Sequence, residues 1–255
     1  MGVLNVTPDS FSDGGKFLDP ATAIAHAKRL AAEGAGIIDI GGESTRPYGG
    51  SQPISPDEER RRLEHILPAV LGIGVPISID TYKASTAEWA LNAGAAIVND
   101  VWGLQRDRDM ARVVAAHGVP IVIMHNREHA DPAIDIIKDV TDFFSRSLEI
   151  AWEAGIPHDQ IALDPGIGFG KTPEQSMACI ARLHHWRGFD MPLLVGASRK
   201  RFIASVVPSE PMQRLGGSIA AHLLAVENGA AIIRTHDVAP TLQALSIAAA
   251  IRAAR

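Results

Sequence analysis

The sequence predicts a single-domain (β/α)₈ TIM barrel over residues 1–255, and three observations lead to this prediction. The length is typical of one such barrel. Eight short apolar segments each precede a helix-like amphipathic segment, and they are continuous rather than alternating, as in parallel strands covered on both faces. The sequence contains no G-x-G-x-x-G dinucleotide fingerprint, so a closed barrel is favoured over a doubly wound sheet.

The strand and helix segments alternate along the whole chain. The predicted strands are Met1–Val6, Gly36–Ile40, Pro76–Ile79, Ala95–Val98, Pro120–Met124, Gln160–Leu163, Pro192–Val195 and Ala231–Ile233. The predicted helices are Ala21–Glu33, Asp57–Leu71, Ala84–Ala93, Arg108–His117, Ile134–Ala154, Glu174–Trp186, Met212–Asn228 and Pro240–Ala253. Ser55 and Glu58 have the spacing of a capping box around Pro56, which indicates a helix start.

Composition narrows the class of protein. The formal net charge is −5, from 24 basic and 29 acidic residues mixed along the chain, which argues against a nucleic-acid groove or a polybasic membrane face. No apolar run reaches membrane-spanning length, and the single cysteine, Cys179, cannot form an intramolecular disulfide. We therefore expect a cytoplasmic protein with no nucleic-acid or membrane partner.

Polar residues follow every predicted strand, where barrel enzymes place their active sites. Asp80, Asn99 and Asp164 end strands three, four and six. Carboxylate and amide groups there suit a flat heterocycle with an amidine-like edge, since buried carboxylates need a ligand with matching donors or a nearby cation. Asp100 and Asp237 directly precede helical segments, so helix capping explains them equally well.

An anion site is predicted where strands seven and eight end. Ser198-Arg199-Lys200 and the pair Arg234 and His236 lie on adjacent loops, at the rim where barrels commonly bind phosphate. Basic residues at a helix start oppose the helix dipole, which makes a purely structural role less favourable. The segment from Gly166 to Thr172 resembles a P-loop, but Pro165 stands where that motif needs glycine. We expect its glycines to let the backbone approach a flat ligand, with Phe169 nearby.

The histidines are not expected to form a metal cluster. A bound metal should therefore be a hard ion held by oxygens and substrate phosphates, as Mg²⁺ usually is. Asn5, beside Asp9 and Asp13 in sequence, offers such an oxygen.

The strand-end motifs closely resemble those of the dihydropteroate synthases, in order and spacing and over nearly the whole chain. They are Asn5–Gly15, Asp39–Pro47, Asn99–Val101, Asp164–Lys171, Gly196–Lys200 and Arg234–Asp237. The resemblance implies a folate-pathway transferase that condenses p-aminobenzoate with 6-hydroxymethyl-7,8-dihydropterin diphosphate. The products would be 7,8-dihydropteroate and pyrophosphate. The resemblance also implies that the cofactor is Mg²⁺ and that the protein assembles as a homodimer.

The resemblance also implies roles for individual residues. The expected pterin-binding residues are Asp80, Asn99, Met124, Asp164, Phe169, Gly196, Lys200 and Arg234. Asn5, Arg234 and His236 would bind the diphosphate, with Asn5 also on Mg²⁺ and Asp13 approaching the metal when the first loop closes. The p-aminobenzoate pocket would be formed by Phe11, Thr45, Arg46, Pro47 and Ser198. Asp80, Lys200, Arg234 and Asn5 are the expected catalytic residues.

Two alternatives share parts of this pattern. A methyltetrahydrofolate-binding methyltransferase barrel would explain Asp80, Asn99 and Asp164, but its pterin carries no diphosphate to occupy an anion site. A catalytically silent pterin-binding homologue would be marked by loss of first- or second-loop residues, whereas Asn5 and Thr45 are present.

Overall fold

The computed structural model describes residues 1–6, 19–43 and 53–254 of the 255. Eight parallel strands form one sheet in sequential order. They are β1 (Gly2–Asn5), β2 (Ile38–Gly41), β3 (Ile77–Asp80), β4 (Ile97–Asp100), β5 (Ile121–Met124), β6 (Ile161–Asp164), β7 (Leu193–Val195) and β8 (Ala230–Ile233).

Backbone hydrogen bonds close this sheet into a barrel. The Val3 N–H donates to the Thr235 carbonyl at 3.0 Å, and the Thr235 N–H donates to the Met1 carbonyl at 2.9 Å. These bonds join β1 to the chain leaving β8, so the first and last strands are neighbours. The predicted (β/α)₈ barrel is confirmed.

Helices separate the strands along the described part of the chain. They are α1 (Pro20–Ala32), α2 (Pro56–Leu63), α3 (Leu67–Leu71), α4 (Ala84–Ala93), α5 (Met110–His117), α6 (Ile136–Glu153), α7 (Pro173–Ala181), α8 (Arg201–Val206), α9 (Leu215–Glu227) and α10 (Val238–Ala253). The 3₁₀ helices are His158–Gln160, Leu183–Phe189 and Pro211–Gln213. No described helix is both long and apolar enough to cross a membrane.

Two helix predictions were wrong in extent. The segment 57–71 forms two helices, because Pro68 lacks an N–H and is accommodated only in the first turn of a new helix. The helix predicted over Glu174–Trp186 ends at Ala181, and a 3₁₀ helix follows it. Helix α8 was not predicted as a separate element.

The Ser55 cap is present, since its Oγ accepts from the Glu58 N–H at 3.2 Å.

The main core lies between the strands and the surrounding helices. Strand residues such as Leu4, Ile40 and Ile79 are fully buried, as are the large side chains Phe144 and Trp186 beneath the helices. Most predicted strands begin one or two residues too early, whereas several continue one residue further than expected, to Gly41, Asp80 or Asp164. Consequently polar residues occupy the last positions of the strands, and parallel pairing brings them to one rim.

Candidate active site

Three polar side chains predicted for the mouth of the barrel are brought together by strand register. Asp80 pairs with Asn99 across β3 and β4, and Asp164 pairs with Met124 across β5 and β6. Asp80, Asn99 and Asp164 are 7%, 3% and 4% exposed. Their burial means that their polar atoms need hydrogen-bonding partners from the protein or from a ligand.

Arg234 directly follows β8 and pairs with carboxylates from β2 and β3. Its Nη2 donates to Asp80 Oδ2 at 2.7 Å and its Nε donates to Asp39 Oδ2 at 2.6 Å. Burial alone would lower the pKa of Arg234, but the Asp39 and Asp80 carboxylates outweigh it and raise that pKa. The guanidinium is therefore permanently charged and fixed in orientation. A Cβ added at Gly196 would lie 3.7 Å from the Arg234 Cβ, an ordinary van der Waals distance, so the glycine lies directly beside the arginine.

Asp39 is a member of this site that the sequence reasoning missed. It lies inside β2, is 1% exposed, and also accepts from Asn99 Nδ2 at 3.0 Å. A charged residue inside a strand covered on both faces was the available signal. Asp39 was instead counted as part of an apolar run.

Some acceptor atoms at the mouth have no hydrogen-bonding partner in the part of the chain that the structure describes. Among the described residues, Asp80 Oδ1 and Asn99 Oδ1 are buried without a hydrogen bond, and each such atom costs about 1–3 kcal/mol. Burial raises the pKa of Asp80 to about 7 and the pKa of Asp164 to about 6, with one Asp164 oxygen accepting from the Gly166 N–H at 2.7 Å. The mouth is thus built to accept hydrogen bonds from a ligand that carries several N–H donors.

Apolar side chains lie beside these acceptors, because Met124 pairs with Asp164 in the register of β5 and β6. Met124, Phe169 and Val101 form a small cluster separate from the main core. Lys200 Nζ lies 4.0 Å from the Phe169 ring centroid, a cation–π contact. Burial lowers the pKa of Lys200 to about 7. We use the name heterocycle slot for the group of residues Asp80, Asn99, Met124, Asp164, Phe169 and Lys200 at the mouth of the barrel.

The neighbouring loops after β7 and β8 differ in part from the predicted anion site. Ser198 Oγ lies 3.0 Å from His236 Nδ1 and accepts from the His236 N–H at 3.2 Å, which ties the two loops together. Arg199 was grouped with the anion-binding residues, but it forms two hydrogen bonds with Asp237, at 2.9 and 2.5 Å. This ion pair satisfies both charges. The carboxylate of Asp237 makes no capping hydrogen bond to α10.

Asp100 has a structural role, one of the two explanations its position allowed. Its carboxylate accepts from the Trp102 and Leu104 N–H groups at 2.8 and 2.7 Å. The turn after β4 is held by these bonds.

The segment after β6 does not form a P-loop. Lys171 is 1% exposed and its Nζ lies 2.6 Å from His125 Nδ1, so it does not face a phosphate cradle. Gly166 and Gly170 have φ of +66° and +53°, and a Cβ at either would overlap the backbone of His125 or Arg127. These glycines let the β5 and β6 loops pack in direct backbone contact.

Asn5 ends β1 beside Gly41 and is half-buried at the rim. Its amide oxygen is the kind of hard donor that Mg²⁺ accepts. Among the described residues, no group of three or more His, Cys, Asp and Glu side chains is placed to hold a metal ion. The predicted site residues Phe11, Asp13, Thr45, Arg46 and Pro47 lie outside the described residues.

The fold and site together define a class: a parallel β/α barrel whose mouth carries buried acceptors that suit a flat heterocycle. The sequence model of the family described as pterin binding enzyme matches residues 1–236. A dihydropteroate synthase of Bacillus subtilis is 48% identical over 239 residues, covering 93% of this chain and 83% of the relative.

Solved structures give the same result. The dihydropteroate synthase of Clostridium difficile, determined in the presence of pteroic acid, superimposes with a TM-score of 0.93 at 46% identity, covering 98% of this chain and 95% of that one. The Xanthomonas albilineans enzyme with 4-aminobenzoic acid gives a TM-score of 0.93 at 41% identity, covering 99% and 92%. The chain belongs to the pterin-binding enzyme family, and within it to the dihydropteroate synthases, which are transferases.

Proposed function

We propose that this chain condenses p-aminobenzoate with 6-hydroxymethyl-7,8-dihydropterin diphosphate, releasing pyrophosphate and forming 7,8-dihydropteroate for folate biosynthesis. The observation that carries this proposal is the heterocycle slot, whose acceptors Asp80 Oδ1 and Asn99 Oδ1 have no hydrogen-bonding partner within the described part of the chain. The amino-pyrimidinone edge of a pterin presents several N–H donors in one plane, which matches these acceptors.

Pterin binding in the slot would combine polar and stacking contacts. Asp164 and Asn99 would hydrogen-bond the amino-pyrimidinone edge, while Met124 and Phe169 line the flat faces and Gly196 keeps space for the ring. Arg234 would cover the ring and reach the first phosphate, oriented by Asp39 and Asp80. Lys200, already close to Phe169, would donate to a ring acceptor.

The reaction breaks the bond between the methylene carbon and the diphosphate oxygen, and the bonding electrons leave with pyrophosphate. The electron-rich dihydropterin ring stabilises the methylene cation, which the arylamine nitrogen attacks before losing a proton to solvent. A weakly basic arylamine needs no strong general base for this step. Arg234 and His236 would stabilise the leaving group, while Asp80 and Asp164 stabilise the electron-deficient ring. Each such preorganised group is typically worth about 10²–10³ in rate.

A magnesium ion fits the donors at the rim only in part. Asn5 Oδ1 would hold it together with oxygens of the substrate diphosphate, and Asp13 would approach when the first loop closes. When bound, Mg²⁺ would neutralise charge on the departing pyrophosphate. The chain's own residues would bind and orient both substrates.

The p-aminobenzoate pocket would be formed by Ser198 with Phe11, Thr45, Arg46 and Pro47. We expect Thr45→Ala to weaken mainly p-aminobenzoate binding and Asp164→Ala to abolish pterin binding. Titration calorimetry with each ligand separates these effects, and equal losses for both ligands in both variants would contradict this division.

Assembly as a homodimer through the outer helices is supported by exposed apolar residues on α9 and α10, including Leu224, Leu242, Ile247 and Ile251. We also propose that residues 1–255 form one domain, since the strands of the barrel run from β1 to β8 in a single sheet. A cytoplasmic location is in keeping with the buried free thiol of Cys179. Sedimentation equilibrium would test the dimer, and a strictly monomeric species at micromolar concentration would exclude it.

The decisive experiment is an assay of pyrophosphate release by the purified chain with both substrates. We expect release that depends on p-aminobenzoate and on Mg²⁺, and growth of a folate-auxotrophic strain that expresses the chain. Methyl transfer without pyrophosphate release would favour the methyltransferase alternative. Pterin binding by folded protein without turnover would identify a catalytically silent homologue.

A further inference from the structure

Lys171 is a buried cation that the proposed reaction does not use. It follows β6 and immediately precedes the cap of α7, and it is 1% exposed. Burying an ammonium group is costly unless other groups compensate it. Its position next to the heterocycle slot therefore requires an explanation from its contacts.

The contacts of Lys171 connect three elements. Its Nζ lies 2.6 Å from His125 Nδ1 after β5 and donates to the Phe169 carbonyl at 3.1 Å. His125 Nε2 lies 3.0 Å from Asp139 Oδ2 in α6, and Arg127 donates to the other Asp139 oxygen at 2.8 Å. Burial, reinforced by the charge of Lys171, lowers the pKa of His125 to about 4. The ring is therefore neutral, with Nδ1 accepting from lysine and Nε2–H donating to aspartate.

These bonds fix the loop that presents Phe169 to the slot. Gly166, Gly168 and Gly170 all have positive φ, so the loop has an unusual conformation on both sides of Phe169. The bond from Lys171 to the Phe169 carbonyl holds the centre of this loop, and His125 anchors the lysine to the adjoining strand. The position of the Phe169 ring beside Met124 thus depends on Lys171.

Lys171 also lies beside the turn that binds Asp164, because a Cβ added at Gly166 would lie 3.4 Å from the Lys171 Nζ and the Gly166 N–H donates to Asp164 Oδ1 at 2.7 Å. Its charge therefore acts on Asp164. Burial raises the pKa of Asp164 to about 6, while a hydrogen bond from Gly166 and then the charges of Lys200, Arg234 and Lys171 act to lower it. In the proposed function Lys200 and Arg234 contact the substrate, whereas Lys171 does not. Burial lowers the pKa of Lys171 itself to about 8. Among the described residues, the titratable groups that face Lys171 or act on it through their charge include His125, Arg127, Asp139, Asp164, Cys179 and Lys200.

We propose that Lys171 is a positioning residue for pterin binding, which holds the Phe169 loop against His125 and places a positive charge beside the Gly166 turn that binds the Asp164 carboxylate. This inference rests on the proposed function, because it assigns Lys171 to the same slot. Lys171 contributes hydrogen bonds and a positive charge, and substitutions can distinguish these two contributions. Lys171→Met removes the charge and the hydrogen bonds, whereas His125→Leu removes one hydrogen-bond partner of the lysine and leaves the charge.

The test measures the affinity of 6-hydroxymethylpterin between pH 5 and 9 by titration calorimetry, together with pyrophosphate release. For Lys171→Met we expect affinity at pH 7.5 to fall at least about tenfold. In the profile of affinity against pH, we expect the decrease at low pH, here called the acidic limb, to move to a pH about one unit higher. His125→Leu should lose several-fold in affinity with its acidic limb unmoved. Arg146→Met, which removes an exposed cation from α6, should match the wild type in both respects.

A folded Lys171→Met protein with wild-type affinity and an unmoved acidic limb would overturn the proposal, as would an equal shift in Arg146→Met. Thermal melts establish whether each variant is folded. If Lys171→Met does not fold, wild-type pterin affinity in His125→Leu still overturns the positioning role. Failure of the wild-type chain to bind pterin or to release pyrophosphate would instead reject the proposed function, so the two failures are distinguishable.

Discussion

The Arg234 guanidinium donates to the Asp80 carboxylate at 2.7 Å and so connects the end of β8 to the end of β3, two strands that are not neighbours in the barrel. One Asp80 oxygen is used in this bond, and the other is buried without a partner in the described structure. The same carboxylate therefore orients the cation and remains available to a ligand. Because Asp80 both orients Arg234 and offers an acceptor to a ligand, removal of its charge should reduce activity.

We expect Asp80→Asn to reduce kcat/KM for the dihydropterin substrate by about 10²–10³. The amide keeps the size of the side chain but removes the charge that orients Arg234 and the acceptor available to the pterin. Steady-state assays of pyrophosphate release measure the loss. Asp107→Asn is the matched control, because Asp107 accepts from the Ala84 N–H outside the slot. A comparable loss of activity in both variants would contradict the role given to Asp80.

Asp39→Asn tests the residue that the sequence reasoning missed. Asp39 bonds both Arg234 and Asn99, so an amide at this position leaves a buried cation incompletely paired and places an extra donor beside Asn99. Removing one partner of a buried pair typically costs about 3–5 kcal/mol, and we expect somewhat less because Asp80 still pairs with Arg234. Chemical denaturation measures the free energy of unfolding. A cost below about 1 kcal/mol would show that Asp80 alone is sufficient to hold Arg234.

Much of this site could be predicted from the sequence, for a definite physical reason. Asp80, Asn99 and Asp164 stand at or next to the ends of apolar runs, and parallel strands bring their carboxyl ends to one rim. Family resemblance assigned roles to Lys200 and Arg234, whereas their contacts with Phe169, Asp39 and Asp80 are seen only in the structure.

The remaining features depend on contacts between distant parts of the chain. Lys171 resembles part of a phosphate loop in sequence, and only its bond to His125, 46 residues away, shows that it is buried and structural. Asp39 had a local signal, as a charged residue inside a buried strand, but its place in the site is seen from its bond to Arg234, 195 positions later. The division of 57–71 into two helices had a local signal in Pro68, which could have been used.

His222 predicts a particular dependence of stability on pH. It is 1% exposed in α9, and burial lowers its pKa from 6.5 to about 4, although Asp237 acts in the opposite direction. The unfolded chain therefore binds a proton at His222 between pH 6.5 and 4 that the folded chain does not. The contribution of a neutral His222 is fully present above pH 6.5 and is lost as the pH falls, by at most about 1.4 kcal/mol per pH unit.

His222→Gln removes this proton linkage. We expect the stability difference between wild type and variant to shift in favour of the variant as the pH falls from 7 to 4, measured by denaturant unfolding at each pH. His184→Gln replaces an exposed histidine and should leave a nearly constant difference over the same range. Parallel behaviour of the two variants would mean that His222 is protonated in the folded protein as readily as in the unfolded one.

Gly170→Ala tests the packing between the β5 and β6 loops. Gly170 has φ of +53°, and a Cβ there would lie 2.4 Å from the Arg127 Cβ and 2.5 Å from the Arg127 carbonyl oxygen. Backbone strain and this overlap act together, so we expect a loss of about 2–4 kcal/mol in the free energy of unfolding.

Gly188→Ala is the matched control for this substitution. Gly188 lies in the 3₁₀ helix Leu183–Phe189, where an added Cβ would meet nothing within 4 Å. We expect a change within about 0.5 kcal/mol, because the substitution adds no contact and the φ at Gly188 is not positive. Because the overlap at Gly170 displaces the loop that carries Phe169, folded Gly170→Ala should also bind 6-hydroxymethylpterin more weakly than Gly188→Ala. Equal pterin affinities would separate the packing of this loop from the geometry of the heterocycle slot.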